Sequence, residues 1–242
     1  IPATASSPRA RSSRGVSMDG SVAADRPLTI LQINTSDVGG GAEGVARSLL
    51  RAYNQRGHDA WLAAGHKRSG DPRVVVVPNR TASRSPWTRL CWSLHDRISR
   101  PGAGAARLAS VIRRLGRPRK FLEWLQGSED FDFPGTERLV SLVPRRPDIV
   151  HAHNLHGFYF DLRALPALSR DTPTVITLHD MWLFTGHCAH SFGCERWGAG
   201  CGHCPDLTIY PAVPRDRTAQ NHARKRDREH RPPLFVHDPA AD

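Results

Sequence analysis

LTILQINTSDVGGGAEGVARSLLRAYNQRG, residues 28–57, decides the fold. Leu28 to Asn34 is a short apolar run that predicts a buried strand. Thr35 to Gly41 is rich in glycine and predicts a turn. Ala42 to Arg56 then carries Val45, Leu49, Leu50 and Tyr53 at helical spacing, and Gly57 follows as a C-terminal stop. A buried strand, a glycine turn and an amphipathic helix in that order open an α/β unit. Working outward, Asp59 to Ala64, Val74 to Val77, Asp148 to His153 and Pro173 to Leu178 read as further strands. Trp87 to Gln126, Phe158 to Leu168 and Arg215 to Glu229 read as helical. Alternation of this kind predicts a mostly parallel sheet flanked by helices.

The glycine turn has chemistry of its own. Glycines let a ligand approach the backbone, and the following helix start offers free N–H groups at its positive end, which suits a phosphate. Gly39, Gly41 and Gly44 match G-x-G-x-x-G. The acid that a dinucleotide site needs at the end of the second strand is missing, because that strand ends Ala64-Gly65-His66-Lys67 and Asp59 lies at its start. The pattern argues against NAD and leaves an NADP-dependent oxidoreductase as a rival reading. A tight turn without a ligand is the bland one.

Two later strands end in histidines. DIVHAHNLHG, residues 148–157, carries His151, His153 and His156, and TLHDMW, residues 177–182, carries His179 and Asp180. Period-two alternation puts His151 and His153 on one face. His153 and His179 are thus expected to meet near the glycine turn, where an imidazole can bond a sugar hydroxyl or a phosphate, or move a proton. A bond to a backbone carbonyl is the plain alternative, favoured for His151.

The segment after His179 holds four of the five cysteines within seventeen residues: Cys188, Cys194, Cys201 and Cys204. The closing C-x2-C is a common half of a tetrahedral zinc site, and the earlier pair could complete it. His187, His190 and His203 could substitute as ligands. Four thiolates would close the coordination sphere, so a structural zinc is expected rather than a hydrolytic one. Reduced packed thiols or a reversible disulfide remain open. Cys91 reads as an ordinary packed residue.

The net charge is +11, unevenly placed. Residues 80–120 hold eleven Arg and Lys against Asp96 alone, and residues 215–231 hold seven bases against three acids. In the basic insert, residues 80–126, Trp87, Leu90, Leu94 and Ile98 form a helical apolar stripe, which suits an anionic membrane surface or simple packing on the domain. No nucleic-acid motif spacing is present. No apolar run is long enough to span a membrane, and the Ser/Pro/Arg-rich residues 1–26 read as a disordered tail without an export signal. A cytoplasmic protein with reduced cysteines is the expectation, with peripheral attachment at the inner face of a membrane as its alternative.

Three stretches together resemble the N-terminal domain of glycosyltransferase family 4: ILQINTSDVGGGAEGVARSLL (30–50), RPDIVHAHNLHGFYF (146–160) and TVITLHDMWLFTGHCAHSFGCERWGAGCGHCP (174–205). The third looks like a bacterial subgroup that builds surface polysaccharide. The resemblance implies a GT-B architecture, two Rossmann-like domains facing a cleft, of which residues 27–231 would be the acceptor-side half. It implies a nucleotide-sugar donor, a glycan or lipid-linked acceptor, retention of configuration and no catalytic metal. It places Gly39, Gly40, Gly41 and Glu43 at the donor diphosphate, His153 and Asn154 on the acceptor side, and His179 with Asp180 in the catalytic role. The family's paired glutamates belong to a C-terminal donor domain that is missing here; Glu129 and Glu137 copy their spacing by chance. Residues 232–242 read as a truncated or aberrant tail, and little transferase activity is expected of the chain alone. The rival is a zinc-stabilised α/β module that docks on anionic lipid or on a separate catalytic half.

Overall fold

The computed structural model of the chain describes residues 26–83, 85–98, 103–229 and 235–237. The tail expected over residues 1–26 lies outside them apart from Arg26, as does most of the segment 232–242. Six strands form one parallel sheet: β1 (Thr29–Ser36), β2 (Asp59–His66), β3 (Val74–Val76), β4 (Ile149–Ala152), β5 (Thr174–Thr177) and β6 (Phe235–His237). Their order is β3-β2-β1-β4-β5-β6. This is the order of a doubly wound Rossmann-like sheet, and its direction reverses between β1 and β4. Phe235–His237 supplies the sixth strand, where Leu234 to Val236 reads as the start of a strand within the end segment 232–242.

Alternation along β1 and β2 divides the core. Ile30, Ala60, Leu62 and Ala64 pack with Ala46 and Leu50 of helix α1 (Gly41–Gln55). Leu31, Ile33, Ala63, Val150 and Ala152 face the other layer, with Phe160, Leu162, Leu165 and Trp182. With both faces covered, β1 has no exposed residue from Thr29 to Ser36, as a central parallel strand should.

The basic insert is three helices, α3 (Pro86–Ile98), α4 (Ala103–Leu115) and α5 (Pro118–Leu125), preceded by the single turn α2 (Asn79–Ala82). Prolines at the starts of α3 and α5 set those starts. Helices α3 and α4 run antiparallel: Trp87 Nε1 donates to the Leu115 carbonyl at 2.9 Å and Thr88 Oγ1 to that of Gly116 at 2.7 Å. Cys91 is buried, in keeping with a packing role, while Trp87, Leu90 and Leu94 of the predicted stripe face outward.

The helix expected from Phe158 to Leu168 starts later. Gly157 and Phe158 have φ of 101° and 66°, Asp161 caps a short 3-10 turn at Leu162–Ala164, and α6 covers Leu165–Asp171. Two left-handed residues cannot begin an α-helix, which overrides the apolar spacing.

The last helix, α7 (Thr218–Glu229), reads as solvated yet buries a cation. Lys225 Nζ lies 2.7 Å from Glu129 Oε2, donates to the carbonyls of Trp182 and Thr185, and stands 3.9 Å over the Trp182 ring. Burial pushes the ammonium down and Glu129 pulls it back up. Glu129 also accepts from Trp182 Nε1 at 2.6 Å, whereas Glu137 is exposed on a 3-10 turn, so the two glutamates have unrelated surroundings. Lys225→Met should lower stability by about 3–5 kcal/mol by leaving Glu129 buried without its cation. The double variant Lys225→Met/Glu129→Leu should recover much of that loss in urea unfolding.

Candidate functional site

The sheet's carboxyl edge gathers the chain's conspicuous polar residues at the reversal between β1 and β4. The glycine turn leaves β1 there, His153 and Asn154 leave β4, and His179 and Asp180 leave β5. An open α/β sheet binds ligands at such a crevice because both neighbouring loops turn away from it.

A buried polar row leads to this edge. Gln32 of β1 lies in register with His151 of β4 and is fully buried. His153 Nε2 is 2.9 Å from Gln32 Oε1, and His153 Nδ1 is 3.0 Å from His179 Nε2. Gln32 Oε1 can only accept, so His153 donates from Nε2 and keeps a lone pair on Nδ1, to which His179 Nε2–H donates. His151 Nε2 meets Thr177 Oγ1 at 2.8 Å, and its ring lies 4.3 Å from that of His153. Burial, and then the nearby His151 and His179, push His153 down to about 3, so it is a neutral imidazole. Burial also lowers His179, with Asp180 and Glu43 partly offsetting it.

His153 and His179 are thus brought together, but Asp180 has a different partner. Its Oδ2 lies 2.8 Å from His156 Nε2 and its Oδ1 accepts from the Trp182 N–H at 2.9 Å. Burial raises the Asp180 carboxyl, but the bond to His156 and its neighbours outweigh this and leave it below the ordinary value. Asn154 is held through its backbone: its N–H donates to Asn34 Oδ1 and its carbonyl accepts from Thr35 Oγ1 and Tyr159 Oη. In the glycine turn, Gly39 has φ of 144° and Glu43 folds back so that Oε2 accepts the Gly40 N–H at 2.9 Å. Open space surrounds the Cβ positions of Gly39 and Gly41, as an approachable loop requires. Asp37, at the root of the turn, accepts from the N–H groups of Arg68 and Ser69 and so ties the turn to the loop after β2.

Cys188, Cys194, Cys201 and Cys204 line one small separate cavity of about 20 Å³, together with His187. Cys201 Sγ accepts the Gly186 N–H at 3.2 Å, and His187 Nε2 lies 3.3 Å from Cys204 Sγ. Burial and the neighbouring thiols push Cys201 and Cys204 up. Gly200, Cys201, Gly202 and His203 all have positive φ, a costly run for two non-glycine residues unless something holds it. Among the described residues, no three His, Cys, Asp or Glu side chains are arranged as a metal cage.

Gln32 is the contributor that pattern reading passed over, and His156, named among the strand-end histidines, was given no role there. A lone glutamine inside LTILQIN was the available signal for the first.

The sequence model of Glycosyltransferase Family 4 matches residues 39–199, which include the glycines of the turn, both histidine strands and two of the four clustered cysteines, Cys188 and Cys194. The chain belongs to glycosyltransferase family 4. It is 40% identical over 206 residues to the Escherichia coli (strain K12) protein named "Putative colanic acid biosynthesis glycosyl transferase WcaC", a match covering 82% of this chain and 45% of that protein. The chain therefore spans about half the length of the curated relative it matches. No solved structure matches it significantly. Family membership favours a sugar transferase over the NADP-dependent oxidoreductase.

The depressed histidines of this glycosyltransferase-family domain have a consequence for stability. The unfolded chain protonates them near pH 6.5, whereas folded His153 stays neutral until about pH 3, so acid favours unfolding. Each pH unit from about 6.5 down to about 3 should cost ~1.4 kcal/mol through His153. His153→Gln should therefore lose less stability than the parent between pH 7 and pH 5, as read from urea midpoints.

Proposed function

We propose that this chain is the acceptor-side half of a retaining transferase that moves a sugar from a nucleotide-sugar donor to a glycan or lipid-linked acceptor in surface-polysaccharide assembly. The His153–His179 pair beside the glycine turn carries the reading. With Nε2–H engaged by His153, neutral His179 has Nδ1 left as an acceptor for a sugar hydroxyl. Gly39, Gly40 and Gly41 let a diphosphate approach the start of α1. Glu43 already holds the Gly40 N–H, so it must swing aside or bond the sugar instead. Asp180 acts through His156 as a positioning residue rather than as the partner of His179.

Contact with an anionic membrane belongs to the same proposal. Trp87, Leu90 and Leu94 on α3, with Leu108, Val111 and Leu115 on α4, are largely exposed. The antiparallel pairing sets Trp87 beside Leu115, so the two i, i+3, i+7 stripes run alongside each other. No helix among the described residues is long and apolar enough to cross a membrane. A Trp-bearing apolar strip on a basic insert fits interfacial attachment.

Grafting residues 26–229 into the Escherichia coli relative, in place of the matched segment, tests the function. Polymer production should return in a strain lacking that relative, and His179→Ala in the graft should cut sugar transfer by about 100-fold or more. Full transfer by the His179→Ala graft would refute the assignment.

For the cysteine loop we propose a structural zinc held by Cys188, Cys194, Cys201 and Cys204. Four thiols around one cavity and a left-handed turn through Cys201 to His203 support it. A bound zinc would deprotonate the thiols and close the loop. Purified protein should contain about one zinc per chain, and Cys201→Ser/Cys204→Ser should lose it and melt lower. Metal-free protein with unchanged melting in the variant would rule the zinc out.

A further inference from the structure

One cavity near the sheet edge lies outside the histidine cluster. It has about 180 Å³ and is enclosed by α3, α4 and α5 of the insert, the end of β2 at Gly65 and His66, and Phe158. Two arginines dominate it. Arg113 stacks on the Phe158 ring and Arg114 on the Trp124 ring, each with its guanidinium carbon 4.2 Å from the ring centroid. Neither has a carboxylate within ion-pair distance among the described residues. Their neighbours differ: Arg117 is paired with Asp130 and Asp132, and Lys120 with Glu123.

A guanidinium stacked face-on keeps its N–H edge available, and that edge matches the oxygens of a phosphate. Arg113, Arg114, Arg117 and Lys120 line the cavity with Asp130 as its acid, and burial, then the charge of Arg114, push Arg113 down to about 10 with Asp130 partly offsetting them. Asp130 is the acid lining the cavity, and Arg117 already takes it up. Phe158 is held at φ of 66°, an unfavourable backbone state for a bulky residue. It follows His156, the partner of Asp180, by two residues, so the platform under Arg113 is tied to the histidine edge. A second, smaller cavity of about 50 Å³ shares Trp124, Asp130, Phe133 and Phe158 with the first and is lined also by His156 and Tyr210. His156 Nδ1 is buried there without a hydrogen-bond partner. The two cavities share these four residues as a wall between the arginines and His156.

We propose that the Arg113–Arg114 cavity binds the phosphate or diphosphate of a phosphate-linked acceptor, whose sugar extends along the shared wall toward His156 and His179. This rests on the transferase reading and names the class of its acceptor. The aromatic floor suits a sugar face, and the unpaired arginines suit the oxyanion. A neutral glycan would leave both guanidiniums without a counter-charge.

Trp92 and Trp124 line the cavity and serve as the probe. The purified chain is titrated with inorganic pyrophosphate, glucose 1-phosphate and farnesyl diphosphate while tryptophan fluorescence is followed. Saturable binding of at least one probe is expected. Arg113→Gln/Arg114→Gln should weaken it at least tenfold, whereas exposed Arg170→Gln should not. Tight binding of farnesyl diphosphate alone would identify a lipid-linked source, and equal binding of glucose 1-phosphate a soluble one. Melting is recorded for each variant, and the charge-retaining Arg114→Lys keeps the test decisive should the double variant unfold: it should weaken binding by losing the planar fork. No saturable binding of any probe overturns the site, as does equal binding by the arginine variants. In the graft, loss of transfer with His179→Ala but an unchanged acceptor KM with Arg113→Gln/Arg114→Gln would also overturn the site while leaving the transferase reading intact.

Discussion

The side-chain oxygen of Gln32 is the constraint on which the site depends. It sits in the middle of a central strand, fully buried, among residues that are otherwise chosen for apolar packing. A buried amide oxygen must find a donor, and His153, two residues beyond the His151 that the β1–β4 register sets opposite Gln32, supplies it. That bond fixes which nitrogen of His153 carries its proton, which in turn requires His179 to donate from Nε2. Protonation of the edge is thus settled inside the sheet rather than by solvent. The three imidazoles lie close enough that charge on any of them disfavours charge on the others.

A neutral histidine cluster can orient hydroxyls but offers little to a diphosphate. If the edge binds a diphosphate as proposed, positive charge must come from elsewhere, and the fold offers it in two forms. The start of α1 presents backbone N–H groups, although Glu43 already takes that of Gly40. The insert supplies Arg113 and Arg114, which stack on aromatic rings with no carboxylate in ion-pair distance among the described residues. The surplus of ten basic residues counted over 80–120 is therefore not a uniform solvated coat. Some of it is spent on internal ion pairs such as Arg117 with Asp130, and some is held unpaired in a cavity.

Much of the fold was legible because burial imposes a period. LTILQIN and the residues after the glycine turn admit one reading each, and the parallel alternation follows from them. The meeting of His153 with His179 was legible for the same reason, since strand ends bring successive loops to one edge. What was hidden depended on partners distant in sequence. Asp180 adjoins His179, but its carboxylate pairs with His156, 24 residues earlier. Lys225 lies in a helix so polar that nothing marked it as buried, and only Glu129 and the Trp182 carbonyl give it a place. Phe158 to Leu168 has helical apolar spacing, yet two left-handed residues delay the helix. Cysteine spacing likewise revealed that four thiols would gather but not how.

Trp182 explains why the cysteine loop bears on the site at all. Its N–H holds Asp180, its indole N–H holds Glu129, its carbonyl receives Lys225, and its ring packs 5.6 Å from that of His156. The cysteine segment leaves this node within six residues, and Thr185 and Gly186 on the way bond Lys225, the Cys188 carbonyl and Cys201 Sγ. A loop of many glycines and few apolar contacts has little of its own to hold it still. If it moved, the first group displaced would be Trp182, and with it the carboxylate that orients His156. His156 in turn precedes the Gly157–Phe158 bend that carries the platform for Arg113. Trp182 thus links the cysteine loop to His156, and the Gly157–Phe158 bend links the insert to the same residue, so two segments far apart in sequence converge on one histidine.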